Sequence, residues 1–460
     1  MLSRLTRHRY QQHYTRHMQQ KCILLLLCLG LLAACAPGHS GEQVVAFIRD
    51  GKLWTIDANG NNAFAIVAQS QPVVGYAWSP THQILAFRML DPDYNKTAEA
   101  KTLVSQNDAP VIPDAPSTLN TIGVDGGSPI TIAFSSPEVS YNDPFWSSNG
   151  SRLMYRQAPK NFAANPSNVQ WWIAQNDQPG GIAAKAFAPT FSIPSISDAP
   201  QNYMILGNNS NEVFTTNITA GDKTNKGQFL AGHPLPATLE RLLWRPAHRN
   251  QSFLYASEKQ TQESEAKNQL NVQLIWQTLE GPATPIATCT CTQFAWSPDG
   301  NTILYNSGNQ YTLYNVQNSS HFTINAEDGA VPSWSPDSKF LLLDGSHQLS
   351  LVNIASKTHT QLLSAGNSSP DKAQQAALGK TNTLLQPVGN SPWSSDSQRF
   401  IFLSHGRLNW QNQTLSDDKG LYVVSINAQG EIQGKPGLIT SGQITQPGWT
   451  HQDPNTSFLY

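Results

Sequence analysis

Charge is what this chain has least of. Only 13% of its 460 residues are Asp, Glu, Lys or Arg, against about 25% in an average soluble domain. Beyond the N-terminal segment no Lys/Arg cluster occurs, which excludes the electrostatic footprint of a nucleic-acid binder. Cysteine is also scarce, with five in all, too few for the disulfide framework that small secreted scaffolds use. There is no G-x-S-x-G sequence, so the nucleophile elbow of a serine hydrolase is missing. His233, His248, His321, His347, His359, His405 and His451 are scattered through turns and strand edges without the spacing of a metal or catalytic set. The stretch DANGNN, 57–62, lacks the closing Glu of a calcium loop and reads as a hairpin turn. No cofactor and no metal is therefore expected.

The longest apolar run, ILLLLCLGLLAA at 23–34, is too short to span a bilayer comfortably but suits the core of an export signal. Arg4, Arg7, Arg9, Arg16 and Lys21 precede it, and the first acidic residue is Glu42. The run ends in LAAC, with Cys35 last, and this order of basic, apolar and small residues before a Cys resembles the bacterial lipoprotein signal. The resemblance implies cleavage before Cys35, lipidation of its thiol by fatty acyl chains such as palmitate, and a body held on the extracytoplasmic face of a bacterial membrane. An ordinary signal peptide or a short anchor is the alternative. Met18 opens MQQKCILLLL, a compact signal in its own right, and either start gives the same mature chain. Two or three acyl chains anchor durably, each buried methylene contributing about 0.8 kcal/mol. Without the leader, 24 basic groups face 31 acidic ones, a balance of −7.

What the chain has in abundance is turn formers and tryptophan: Gly 31, Pro 30 and Trp 12, with much Asn, Gln, Ser and Thr, a composition suited to many short strands. The tryptophans recur in one context. AWSPTHQILAF, FWSSNGSRLMY, LWRPAHRNQSFLY, AWSPDGNTILY, SWSPDSKFLLL, PWSSDSQRFIFL and GWTHQDPNTSFLY carry Trp78, Trp146, Trp244, Trp296, Trp334, Trp393 and Trp449. The intervals are 68, 98, 52, 38, 59 and 56 residues, and the long one predicts a worn copy, which ISDAPQNYMIL (196–206) supplies without its Trp. Each unit reads as strand to Trp, turn, strand, turn, strand, turn, hence a four-stranded antiparallel unit. One such sheet exposes both faces, so the units must stack, and a ring hides every inner face. The Trp ring is expected to fill the space between neighbouring sheets, with Ser/Pro and Asp/Asn forming the tight turn beside it.

These repeats, WSPDG, WSPDS, WSSNG and WSSDS followed by apolar strands, resemble the TolB-like, WD40-like β-propeller family over roughly residues 44–460. The resemblance implies an all-β propeller that serves as a binding platform; the separate N-terminal domain of TolB itself has no counterpart, because the repeats begin within ten residues of Cys35. Eight blades are expected, seven if 196–206 is not a unit, with VVAFIRDGKLWTIDANG joining the C-terminal unit to close the ring. The expected organisation is a signal at 1–34, a tether at 35–43 and the propeller at 44–460. Inserts are expected near 91–129 and 366–390, the second holding a two-turn helix in PDKAQQAALGKT, and a smaller one at ESEAKN near Ser264. The insert at 91–129 reads either as a loop without fixed structure or as a contact arm. The repeats run up to Tyr460, so the hydrolase domain that follows the propeller in some peptidases of the family is not expected here.

Cys289 and Cys291 are the only thiols of the body besides Cys35. On a straight strand, residues two apart lie about 6 to 7 Å from each other, too far for a disulfide. A bond therefore requires a bend before Trp296, and a buried reduced pair is the alternative. The functional expectation is a non-catalytic, membrane-anchored lipoprotein that binds a protein, peptide or glycan through its loops. The alternative is a hydrolase or lyase acting on an extracellular polymer, with its residues gathered around the propeller channel.

Overall fold

The computed structural model describes most of residues 44–160 and 242–449, leaving out among others 106–114, 259–271 and 365–384; between 161 and 241 it describes only strands. The described residues form eight four-stranded antiparallel sheets, and the architecture is a β-propeller. Blade 1 takes Thr445–Trp449 as its first strand and continues with Val44–Arg49, Lys52–Asp57 and Phe64–Ala65. Blade 2 runs through Val73–Trp78, Ile84–Leu90, Ser117–Gly123 and Gly126–Ala133, and blade 3 through Val139–Trp146, Arg152–Pro159, Gln170–Gln175 and Ile182–Ala183. Blade 4 is the worn copy, with Ser195–Ile196, Tyr203–Gly207, Val213–Asn217 and Gln228–Phe229. Blade 5 comprises Leu242–Trp244, Ser252–Glu258, Val272–Thr278 and Ala283–Cys289; blade 6 Phe294–Trp296, Thr302–Ser307, Gln310–Asn315 and His321–Asn325. Blade 7 comprises Val331–Trp334, Phe340–Asp344, Gln348–Asn353 and Thr358–Ser364; blade 8 Leu385–Gln386, Arg399–Ser404, Gly420–Ser425 and Gly437–Ser441.

Strand chemistry follows position in the blade. First and second strands are covered on both faces by neighbouring blades and read as unbroken apolar runs, as in VVGYAW and FLLLD, every residue of which is buried. Fourth strands have an open edge and a solvent face, so HFTIN and ATPIATC are mostly exposed or half-buried.

The core consists of layers between blades, each organised by a tryptophan. Trp78 packs with Val44, Ala46 and Leu53 of blade 1, and Trp146 with Ala86, Leu119 and Ile132 of blade 2. In the same way Trp334 meets Leu304, Tyr311 and Leu313 of blade 6, and Trp449 meets Ile401, Leu403 and Leu421 of blade 8. The expected wedge is thus observed, and the indole N–H does a second job. Trp78 Nε1 donates to Gly448 O, Trp146 Nε1 to Ala77 O, Trp296 Nε1 to Leu243 O and Trp393 Nε1 to Ser333 O, at 3.1–3.2 Å. Each acceptor is the carbonyl just before the tryptophan of the preceding blade. The indole N–H groups of Trp334 and Trp449 are buried without a partner among the described residues. The side chain of Trp244 lies outside the described residues.

The turn after each Trp explains the rest of the motif. Ser297 Oγ donates to Asp299 Oδ1 (2.5 Å) and accepts from Thr302 N (2.9 Å). Ser335 does the same with Asp337 and Phe340, and Ser394 with Asp396 and Arg399. The serine hydroxyl therefore ties both ends of the turn together, a local side-chain bond of the kind that favours Ser and Asp in turns. The residue after the Asp has positive φ: Gly300 at 66°, Ser338 at 62° and Ser397 at 58°. Where Ser takes this position its hydroxyl accepts from the Asp N–H of the preceding blade, Asp299 N to Ser338 Oγ (2.9 Å) and Asp337 N to Ser397 Oγ (3.0 Å). Blades 6, 7 and 8 are stitched through their turns as well as their cores.

The ring closes as the sequence predicts, with one C-terminal strand and three N-terminal ones. Val45 pairs with Trp449, Ala46 with Gly448 and Ile48 with Thr445. Tyr76 OH of blade 2 donates toward both Ala46 O (2.8 Å) and Gln446 O (2.5 Å), clamping the two chain ends side by side. Arg49 adds a cross-blade contact, its Nη2 donating to Thr440 Oγ1 (2.6 Å) and Ser441 O (2.9 Å) of blade 8. The insert expected at 91–129 is shorter than that: residues 117–123 and 126–133 are the third and fourth strands of blade 2. Their apolar signal is diluted by Thr, Asn and Gly, which is why they read as loop.

Candidate binding face

The path of the chain divides the loops between two faces. First strands end at the Trp turn, second strands run back, third strands return, and fourth strands lead to the next blade. One face therefore carries all Trp turns and the third-to-fourth turns. The other carries every second-to-third loop and every link between blades. The four widest gaps between blade strands, 91–116 in blade 2, 259–271 in blade 5, 365–384 between blades 7 and 8, and 405–419 in blade 8, are bounded by strand ends on this second face; a narrower gap, 426–436 in blade 8, is bounded on the first face.

The first excursion is built as a fixed structure. Asp91 Oδ1 accepts from the N–H groups of Asp93 and Tyr94 (both 2.9 Å), starting a 3-10 turn over Tyr94–Lys96. Thr97 Oγ1 then caps the helix Ala98–Ser105 by accepting from Ala100 N (3.1 Å). Tyr94, Ala100 and Ala115 pack with Val74 and Leu90 of the blade. Lys160, at the end of the second strand of blade 3, reaches Glu99 (2.9 Å) and lies 4.9 Å over the Tyr94 ring. Burial and, after it, Glu99 push the Tyr94 hydroxyl up to about 12. Beside this arm the link from blade 2 to blade 3 holds Phe134, which is 70% exposed. Its neighbours are pinned: Ser135 Oγ donates to Asp91 Oδ2 (2.7 Å), and Tyr141 OH to Phe134 O (2.9 Å). An aromatic side chain is thus presented to solvent on a held backbone.

Across the same face, blade 7 gathers ionisable groups. Glu327 Oε2 accepts from His347 N (2.8 Å) and Gln348 N (2.9 Å), and Oε1 meets His347 Nδ1 at 2.7 Å. Gly345 makes room for this carboxylate, since a Cβ there would collide with Glu327 Oε2. Asp344, last residue of the second strand, is buried; its Oδ2 accepts from Val388 N (3.0 Å) and its Oδ1 has no partner among the described residues. Desolvation, with a smaller push from Glu327, raises its carboxyl from 3.8 to about 7. In blade 8 on this face, His405 Nε2 lies 3.0 Å from Gln386 Oε1; on the opposite face of blade 7, where its fourth strand begins, burial lowers His359.

Cys289 and Cys291 form a disulfide with Cα atoms 5.1 Å apart. The fourth strand of blade 5 stops at Cys289 and the chain bends before Phe294, which supplies the required turn. Both residues are buried beside Trp296. A ring this small restrains the unfolded chain little, so its entropic contribution is under about 2 kcal/mol. Replacing both cysteines by Ser is expected to lower Tm by only about 3 °C or less, read by thermal melting with and without a reductant.

Of the sites expected from the sequence, six tryptophans sit at blade boundaries, while Cys35 and the residues 370–381 and 263–268 lie outside those described, as do His233, His248 and His451. DANGNN is a hairpin turn, with Gly60 N donating to Asp57 O (2.8 Å) and Asn62 Nδ2 to Asp57 Oδ2 (2.7 Å). Sequence reasoning missed Asp344 and Phe134. Asp344 had a usable signal, a carboxylate ending the apolar run FLLLD in register with Asn306 of blade 6. Among the described residues no group of three His, Cys, Asp or Glu side chains could hold a metal ion, and no helix is long and apolar enough to cross a membrane.

No protein-family model and no curated protein matches the chain. Several solved structures resemble it. The crystal structure of the eukaryotic initiation factor is 11% identical at TM-score 0.46, over 90% of this chain and 100% of that one. An oligogalacturonate lyase in complex with manganese is 10% identical at TM-score 0.47, over 85% and 98%. A mitotic checkpoint complex chain is 16% identical at TM-score 0.43, over 73% and 90%. The propeller assignment rests on the strand order of the chain itself.

Proposed function

We propose that this chain is a non-catalytic binding platform, a TolB-like propeller held by a lipid on Cys35 at the extracytoplasmic face of a bacterial membrane. Its ligand is a protein, peptide or glycan. The observation that supports this reading is the braced arm at 91–105, with Phe134 displayed beside it on a held backbone. Preordered loops lose less entropy on binding than loose ones, and an exposed aromatic on a rigid site is a favoured anchor. The lipid anchor is supported by the order of basic, apolar and small residues before Cys35. Phe134→Ser removes no buried contact, so it is expected to leave Tm within about 1 °C while reducing crosslinked partner recovered from native membranes at least tenfold. Unchanged recovery would remove Phe134 from the contact. A Cys35→Ser variant is expected to lose labelling by an alkynyl fatty acid and to leave the membrane fraction; retention of both would refute the anchor.

A second reading, an enzyme acting on an extracellular polymer, draws on the proximity of Glu327 and the raised carboxyl of Asp344. Under it, a co-purifying oligosaccharide or peptide is cleaved by the native chain and spared by Asp344→Asn.

A further inference from the structure

The repeats supply their own controls. Counting three residues on from the second-strand partner of each Trp gives Ile48, Arg88, Arg156, Ala256, Asn306, Asp344 and Leu403. In blade 6 this position is Asn306, whose Oδ1 accepts from Thr292 N and Gln293 N, and in blade 8 it is Leu403. The fold is thus satisfied by a neutral amide or a hydrocarbon here, and nothing in blade packing demands a carboxyl. Asp344 is the one acid of the set. Its bond to Val388 crosses from blade 7 to the strand entry of blade 8, and Leu385 N donates to Ser346 O (2.9 Å) two residues further along the same turn. These two bonds fasten the start of blade 8, where the chain arrives from the excursion 365–384.

We propose that Asp344 is a protonation-controlled latch across the boundary of blades 7 and 8, closed when its carboxyl is neutral and loosened when it is ionised. A neutral acid in this dry site leaves one oxygen unbonded, whereas an anion there is an uncompensated buried charge, which costs far more. Among the described residues, the charged group that bears on it is Glu327, from the link between blades 6 and 7, and this carboxylate opposes ionisation. His347 is engaged by Glu327, and His405 on blade 8 by Gln386. Linkage sets the sign. The folded-state pKa lies above the unfolded value, so the folded chain holds a proton that the unfolded chain has released. The latch is strongest below about pH 4 and weakens as pH rises to about 7, beyond which it stays loose.

The test is amide hydrogen exchange of the full mature chain between pH 5 and 8, corrected for intrinsic exchange. Opening at residues 385–388 is expected to become up to about tenfold more frequent per pH unit up to about pH 7, while the Trp-turn face of the same blades stays unchanged. Asp344→Asn keeps the acceptor for Val388 N and is expected to make this segment insensitive to pH. Glu327→Gln is expected to move the transition to lower pH, because it removes the opposing charge. Corrected exchange in the unaltered chain that is the same at pH 5 and pH 8 would overturn the proposal without any variant, as would an Asp344→Asn chain that keeps the pH dependence.

Discussion

Deleting residues 445–460 is expected to abolish cooperative folding of the chain. The loss begins with Trp449, fully buried between blades 8 and 1; truncating such a side chain alone costs about 3–5 kcal/mol, against a net stability of about 5–15 kcal/mol for a typical protein. The deletion also removes the ladder to Val44–Arg49, the Gly448 carbonyl that receives Trp78, and the Gln446 carbonyl that receives Tyr76. Three strands of blade 1 are left with an open inner edge, and open edges recruit other chains. The expected result is a broad, non-cooperative thermal melt with soluble aggregates by light scattering. A peptide covering 445–460 added in trans should restore a sharp melt. A truncated chain that melts cooperatively near the original Tm would show that the ring does not depend on this strand.

The second large effect concerns the tryptophan wedge. Trp393 is fully buried, stacks on Phe340 of blade 7 at 6.3 Å, meets Phe400 edge-on at 5.3 Å and donates to Ser333 O. Trp393→Ala is expected to destabilise by about 3–5 kcal/mol. Phenylalanine substitutions separate volume from hydrogen bonding. Trp393→Phe loses ring volume and leaves the Ser333 carbonyl short of a donor. Trp334→Phe loses volume alone, because its indole N–H has no partner among the described residues. The first is expected to exceed the second by about 1 kcal/mol, the usual net value of such a bond, measured by urea denaturation at constant m. Equal losses would mean that the indole N–H contributes nothing to blade cohesion.

The architecture was legible because its signal repeats. Each W-S-x-D unit binds its own turn through Ser and Asp, so neighbouring residues dictate the local shape, and the same shape reappears wherever the letters do. Blade 4 was legible by arithmetic, from an interval too long for one unit. The insert boundary was harder: residues 117–133 form two strands despite Gly and Asn, because pairing with Ile84–Leu90 overrides weak propensity. The disulfide needed a bend that spacing alone does not reveal. The candidate site was the least legible part. Phe134 is ordinary in sequence and becomes distinctive only through the hydrogen bonds that hold its neighbours while leaving its ring in water. Asp344 acquires its raised pKa from burial and from the charge of Glu327, distant in the chain, against the opposing pull of the Val388 N–H.

The division of loops between two faces subjects the two halves of the molecule to different evolutionary rules. A segment lengthened between Glu258 and Val272 begins and ends on paired strands, and doubling its length adds only about 0.6 kcal/mol of closure entropy. The same change between Ser297 and Thr302 would break a serine lock and, through Asp299 and Ser338, the seam to the next blade. New recognition specificities can therefore accumulate by insertion between second and third strands, while the serine-locked Trp turns are held to a fixed length.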